Sequence, residues 1–119
     1  MGTSVSQTAE IDADTVYAVQ AFASKLAGQF AVVDIILFGS RARKNYLPDS
    51  DADVAVLLRG HREQFLDIVL SMADIAYEVL LETGVLIEAL PVWEDEWEHP
   101  ETYNNPALLR NIARDGIRF

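Results

Sequence analysis

The chain has 119 residues, half of them apolar and 24% charged, with a formal net charge of −10 and no cysteine. That length supports one hydrophobic core but no separate substrate-binding domain, and the balance is that of a globular chain rather than a disordered one. It excludes disulfides and thiolate metal sites. The acidity argues against a nucleic-acid backbone as the main partner, because phosphate binding draws on Lys and Arg. No run approaches the roughly 20 apolar residues of a membrane span, and Met1–Ser6 carries no signal core, so a cytoplasmic, membrane-free protein is expected.

Residues 1–11 read as a polar, frayed N-terminus. A helix is expected from Asp12 or Asp14, with Val16, Val19, Phe22, Ala23 and Leu26 on one face and Gly28 at its end. Val32–Phe38 is a short β-rich run that stops at Gly39, and reads as a buried strand. Pro48-Asp49-Ser50-Asp51 is a turn signature, and Ala52–Leu58 is a second strand. From Arg62 to Thr83 the apolar positions follow a helical period, and Gly84 stands where a C-terminal cap belongs. Val85–Val92 is a third strand interrupted by Glu88. Trp93–Glu101 is acidic and expected to be exposed, with Trp93 and Trp97 either interface anchors or core. Asn105-Pro106 opens a last helix that carries Leu108, Leu109 and Ile112 and ends at Gly116. The predicted fold is therefore α/β (α+β): a small mixed sheet with flanking helices, in the order α-β-(short helix or loop)-β-α-β-α.

Chemistry concentrates in the stretch from Phe38 to Asp53. A strand ending at Gly39-Ser40 before a short helix leaves room for a phosphate near backbone amides, and Arg41, Arg43 and Lys44 form a small basic patch. The patch either binds a compact polyanion, with Arg41 or Arg43 on phosphate oxygens, or is a solvated turn. Asp51 and Asp53 stand two apart at a strand start, so both side chains leave the same face. They either share a cation, for which Mg²⁺ suits an all-oxygen ligand set, or are solvated, with Asp51 serving the turn. Glu88 interrupts an apolar strand. On a sheet it can sit beside Asp53, as metal ligand or as base toward a hydroxyl, or it can face water at an edge. His61 and His99 belong to no constellation and read as surface or cap residues.

Gly39-Ser40, ten intervening residues and then Asp51-Ala52-Asp53 resemble the Gly-Ser-x10-Asp-x-Asp signature of the DNA polymerase beta–type nucleotidyltransferase superfamily. The Gly-Ser-Arg-Ala-Arg wording and the short chain are similar to its minimal nucleotidyltransferase (MNT) branch, with 1–119 as one minimal domain. The resemblance implies that Gly39 and Ser40 contact the triphosphate of ATP. It implies that Asp51 and Asp53 bind Mg²⁺, two ions in all, and that Glu88 completes a catalytic carboxylate triad. Two departures stand out: the third carboxylate is usually Asp, and the residue after Ser-Arg-Ala-Arg is often Gly rather than Lys44. MNT proteins of this kind act as antitoxins that transfer AMP to a tyrosine of a partner HEPN-domain toxin. The resemblance therefore implies a protein-modifying nucleotidyltransferase that forms a hetero-oligomer with its toxin; the acidic run Glu94-Asp95-Glu96 either docks a basic toxin or is a solvated face. A non-catalytic antitoxin that neutralises by binding, a small-molecule acceptor such as an aminoglycoside, and a nucleic-acid-modifying enzyme are the alternatives.

Overall fold

The computed structural model describes residues 11–119. Helix α1 (Ala13–Ala27) starts where Asp12 Oδ2 accepts the Thr15 amide at 3.0 Å. Ile11, read in the sequence as part of a frayed N-terminus, belongs to the core; residues 1–10 of that expected stretch lie outside the described residues. Strand β1 (Val32–Phe38) leads into the four-residue α2 (Ser40–Arg43), and β2 is Ala52–Leu58. Helix α3 (Phe65–Thr83) starts three residues later than the periodicity predicts and ends at Gly84, whose φ of 80° is the left-handed cap conformation. Strand β3 (Ile87–Trp93) follows.

After β3 the chain departs from expectation. The acidic segment folds into a short helix, α4 (Glu94–Glu98), and a 3₁₀ turn over Pro100–Thr102. Helix α5 (Pro106–Asp115) opens with Asn105 Oδ1 accepting the Leu108 amide and Pro106 at its first position, as the Asn-Pro pair predicts. A two-residue strand, β4 (Ile117–Arg118), closes the chain. Sequence periodicity gives no sign of so short a strand.

The sheet order is β3-β2-β1-β4, with β2/β3 parallel and the other pairs antiparallel. This is the mixed sheet with flanking helices that the sequence predicts. Strand alternation sorts its two faces. Ala52, Val54, Val56 and Leu58 of β2, with Ile35 and Leu37 of β1, enter the main core with Phe22 and Leu26 of α1 and Met72, Ile75 and Val79 of α3. Trp93 is buried in that core as well, which makes it a packing residue. On the other face α5 lays Ile112 against Ile36 and Ala55, and Leu109 against Leu57, Val92 and Tyr103. This second layer is thinner, and it leaves the end of β1 and the start of β2 beside α2 open to a pocket. Among the described residues, no helix is long and apolar enough to cross a membrane.

Candidate active site

The site grows from the alternation of β2. Since Ala52 and Val54 point into the main core, Asp53 points to the opposite face, toward α5. There it stands in register with Phe38 of β1 on one side and Glu88 of β3 on the other. Asp51, just before the strand, is half-exposed and near enough for its charge to be felt at Asp53. Partial burial, first, and then the carboxylates of Glu88 and Asp51 hold the Asp53 carboxyl above the usual carboxylate range; Arg43 opposes them. The charges of Glu88 and Asp51 are thus both felt at Asp53. Among the described residues, however, no three acidic or His side chains gather closely enough to hold an ion between them as they stand.

Gly39 forms the other wall. Its φ of 76° lies in the region that favours glycine, and a Cβ there would collide with Asp53 Oδ2 and lie 3.1 Å from its Cγ. The turn therefore needs Gly39 twice over, for its backbone and for the space that Asp53 fills. Ser40 opens α2 and is half-buried. Gly39, Arg43 and Asp53 share a pocket of about 360 Å³ with Phe38 and Ala42. Leu108, Asn111, Ile112 and Asp115 of α5 form its far wall. The sequence reading missed Asn111 and Asp115. Their signal is a polar pair four apart on the stripe that carries Leu108 and Ile112, but only the packing of α5 against the sheet shows what that stripe faces. Arg43 reaches both sides: its charge also helps to hold Asp115 below the usual carboxylate range, after the larger effect of Arg114.

Arg41 is not brought to this pocket. Its side chain is 3% exposed and turns to the opposite side of α2. There Nε and Nη2 donate to the Ser50 carbonyl at 3.0 and 2.8 Å, Nη2 also to Pro48 O at 3.3 Å, and Nη1 to Thr15 Oγ1 at 2.8 Å. Tyr46 covers the guanidinium at 4.5 Å. The expectation that Arg41 binds nucleotide is thus corrected: its fork is engaged by the loop that delivers Asp51 to the site and by Thr15 of α1. Two residues apart on one helical turn, Arg41 and Arg43 face different ways, and only Arg43 meets the pocket. Lys44 takes φ 64°, the left-handed conformation. That is the physical reason a glycine suits this position, and it shows that the helix exit keeps its shape with lysine there.

The acidic run after β3 also differs from expectation. Glu96 is buried; its carboxylate accepts the Trp93 amide and pairs with Arg62 at 2.8 Å, while Glu94 accepts the Gly60 amide. Two of the three carboxylates expected to dock a partner instead fasten α4 to the sheet. His61 is exposed, and His99 sits between α4 and the 3₁₀ turn beside Glu101, as surface and cap residues.

Residues 19–117 match the family model described as Nucleotidyltransferase domain. The chain belongs to that family. A crystal structure of a "putative nucleotidyltransferase" from Sulfolobus solfataricus superimposes with a TM-score of 0.57 at 18% identity, over 100% of this chain and 87% of that one. At that identity the likeness speaks for the nucleotidyltransferase fold alone. No curated protein matches the sequence. Membership supports transferase chemistry on a nucleotide, and the pocket at Gly39, Arg43 and Asp53 lies where the Gly-Ser and Asp-x-Asp elements of the motif meet.

Proposed function

We propose that this nucleotidyltransferase-family protein transfers AMP from Mg-ATP to a hydroxyl of a partner protein, a tyrosine of a HEPN-domain toxin, and so serves as the cytoplasmic antitoxin of the pair. The observation that carries the catalytic part is the register of Asp53 with Glu88 on neighbouring strands, beside a glycine turn that leaves space for nothing but the Asp53 carboxylate. The donor set is all oxygen and its charges are mutually unfavourable, which fits a hard divalent cation. Asp51 and Asp53 would hold Mg²⁺, with Glu88 beside them as the third carboxylate for a second ion. Bound there, Mg²⁺ supplies charge neutralisation at the triphosphate and lowers the pKa of a coordinated hydroxyl.

The chain's own residues supply the rest. Gly39 and Ser40 let the backbone approach the phosphates, and Arg43 neutralises their oxygens. Asn111 offers an amide, and Asp115 a carboxylate, to the nucleoside from across the pocket. The acceptor oxygen attacks the α-phosphorus in line, the bond to the bridging oxygen breaks, and pyrophosphate leaves. Glu88 takes the hydroxyl proton. Most of the acceleration comes from positioning and fixed charge.

The direct test is the intact mass of a HEPN-domain partner incubated with this protein, ATP and Mg²⁺. A gain of ~329 Da per transferred AMP, lost with Asp51→Ala and Asp53→Ala together, is expected. A second reading has its own observation: Glu88 is exposed and lines a recess on the α3 side rather than the pocket of Asp53. On that reading the protein neutralises its toxin by binding alone, and the double variant still protects cells while no mass is gained.

A further inference from the structure

Helix α3 presents an apolar surface that the fold does not use. Leu66, Leu70, Tyr77 and Leu81 are 65%, 56%, 58% and 70% exposed. With Ala73 they follow one another at intervals of four, three, four and four residues, which keeps them within an arc of roughly 80° along about 22 Å of helix. Beside this stripe, toward the sheet, lies an apolar recess of about 200 Å³ between α3 and β3, lined by Val69, Ala73, Ala76, Ile87 and Ala89. Ala73 belongs to both, so stripe and recess form one surface. Its inner end is Glu88, the residue in register with Asp53.

The charges that helix α3 itself carries have one sign. Helix α3 carries Asp67, Asp74, Glu78 and Glu82 and no Lys or Arg. All four are exposed, and Glu78 and Glu82 share the Lys25 ammonium of α1. Asp67 and Asp74 therefore edge the stripe on the side away from the recess. A second copy laid on this face would bring two acidic rows together, which is unfavourable. Residues 1–10 contain neither a basic residue nor a helical apolar stripe with which to cover it. β3 is the edge of the sheet, but Pro91 within it lacks a donor, which disfavours an added strand.

We propose that this face is the acceptor-docking surface, and that its occupant is a helix of a partner protein with an apolar stripe flanked by Lys or Arg. This deepens, and rests on, the reading that the acceptor is a protein. Nucleotide enters from the α5 side, where Asp53 lines the pocket. The partner seats on the α3 side of β3, the edge strand whose Glu88 stands in register with Asp53, so that its acceptor group reaches the carboxylates around that edge.

The test uses two synthetic amphipathic peptides of about 20 residues, alike in their leucine stripe, one flanked by Lys and one by Glu. Their binding to the full chain is followed by fluorescence anisotropy. The Lys peptide is expected to bind at least about tenfold more tightly. Leu66→Ala with Leu70→Ala, exposed positions where alanine keeps the helix, lowers its affinity by about tenfold or more. Asp67→Lys with Asp74→Lys shifts the preference toward the Glu peptide. Binding indifferent to the leucine variant, or a preference unmoved by the charge reversal, overturns the proposal. So does a dimer by analytical ultracentrifugation that Leu70→Ala dissolves, because the occupant is then a second copy. The enzymatic reading is separable. Asp53→Ala leaves peptide binding intact, and a wild-type protein that binds the Lys peptide but transfers no nucleotide removes only that reading. Transfer to a protein acceptor that is unchanged by the leucine variant removes only the docking surface.

Discussion

Two arginines on one turn of helix, Arg41 and Arg43, have the same side chain and opposite surroundings. Arg41 is buried, and its donors are spent on Ser50, Pro48 and Thr15; Arg43 is exposed at a pocket that also holds Asp53 and Asp115. The same contrast runs along β2, where Ala52 and Val54 close the main core while Asp53 between them opens onto the site. In both places, neighbours in sequence divide structure from chemistry, because a strand or a helical turn sends adjacent side chains in different directions. A basic or acidic cluster in the sequence is therefore not one functional unit. Its members are to be assigned one at a time.

The largest expected effects break the chemical half of this comparison. Asp53→Ala should lower nucleotidyl transfer by about 10³-fold, with the far-UV circular dichroism unchanged. Gly39→Ala should come close to it, because a Cβ drives the Asp53 carboxylate aside at a backbone angle that L-residues avoid. Its cost in stability should be roughly 1–3 kcal/mol, read by urea denaturation. Wild-type transfer by Gly39→Ala would remove the glycine turn from the site.

The arginine pair gives the next effect. Arg41→Ala should destabilise the fold by roughly 2–4 kcal/mol, since it takes the side-chain donors from the Ser50 and Pro48 carbonyls and leaves the Thr15 hydroxyl only its bond to Asp12. Lysine should not restore it, lacking the planar fork. Arg43→Ala should leave the denaturation midpoint almost unchanged and raise the KM for the triphosphate by about tenfold. Reversed effects would exchange the two roles.

Smaller effects concern the charge of the site and the helix exit. The Asp53 carboxyl is held above its ordinary range by burial and by Glu88 and Asp51. Its contribution to stability is therefore complete below the ordinary aspartate pKa and is lost as pH rises through the raised, folded value. In chelator-treated protein at neutral pH, Asp53→Asn should raise the melting temperature, and this gain should shrink as pH falls toward 4. Lys44→Gly should add roughly 0.5–1 kcal/mol by relieving the left-handed conformation at the exit of α2. A loss of stability there would mean that contacts of the lysine outweigh its backbone strain.

Much of this was legible in the sequence, for identifiable reasons. Asp12, Gly84 and Asn105-Pro106 act locally, so caps and boundaries could be read from residue type alone. The Asp53–Glu88 juxtaposition followed from strand parity once β2 and β3 were neighbours. What escaped depended on tertiary packing. Arg41 looks identical to Arg43 until Thr15 arrives from α1, twenty-six residues away in sequence, to take its Nη1. Glu96 reads as solvated until Arg62 meets it, and Asn111 and Asp115 read as an ordinary polar face until α5 lies over Asp53. β4 is too short for any period, and its place comes from pairing with β1.

Asp53, with Asp51 and Glu88, is proposed to make a cation-dependent nucleotide site beside Gly39. This proposal is tested most directly by thermal unfolding with Mg²⁺ and a non-hydrolysable ATP analogue, added singly and together, to wild type and Asp53→Asn. The account predicts that the pair stabilises wild type well beyond the sum of the two alone, by about 2–3 kcal/mol at a hundredfold excess over Kd, and leaves Asp53→Asn unmoved. Equal stabilisation of both proteins, or full stabilisation of wild type by the analogue without Mg²⁺, would contradict it.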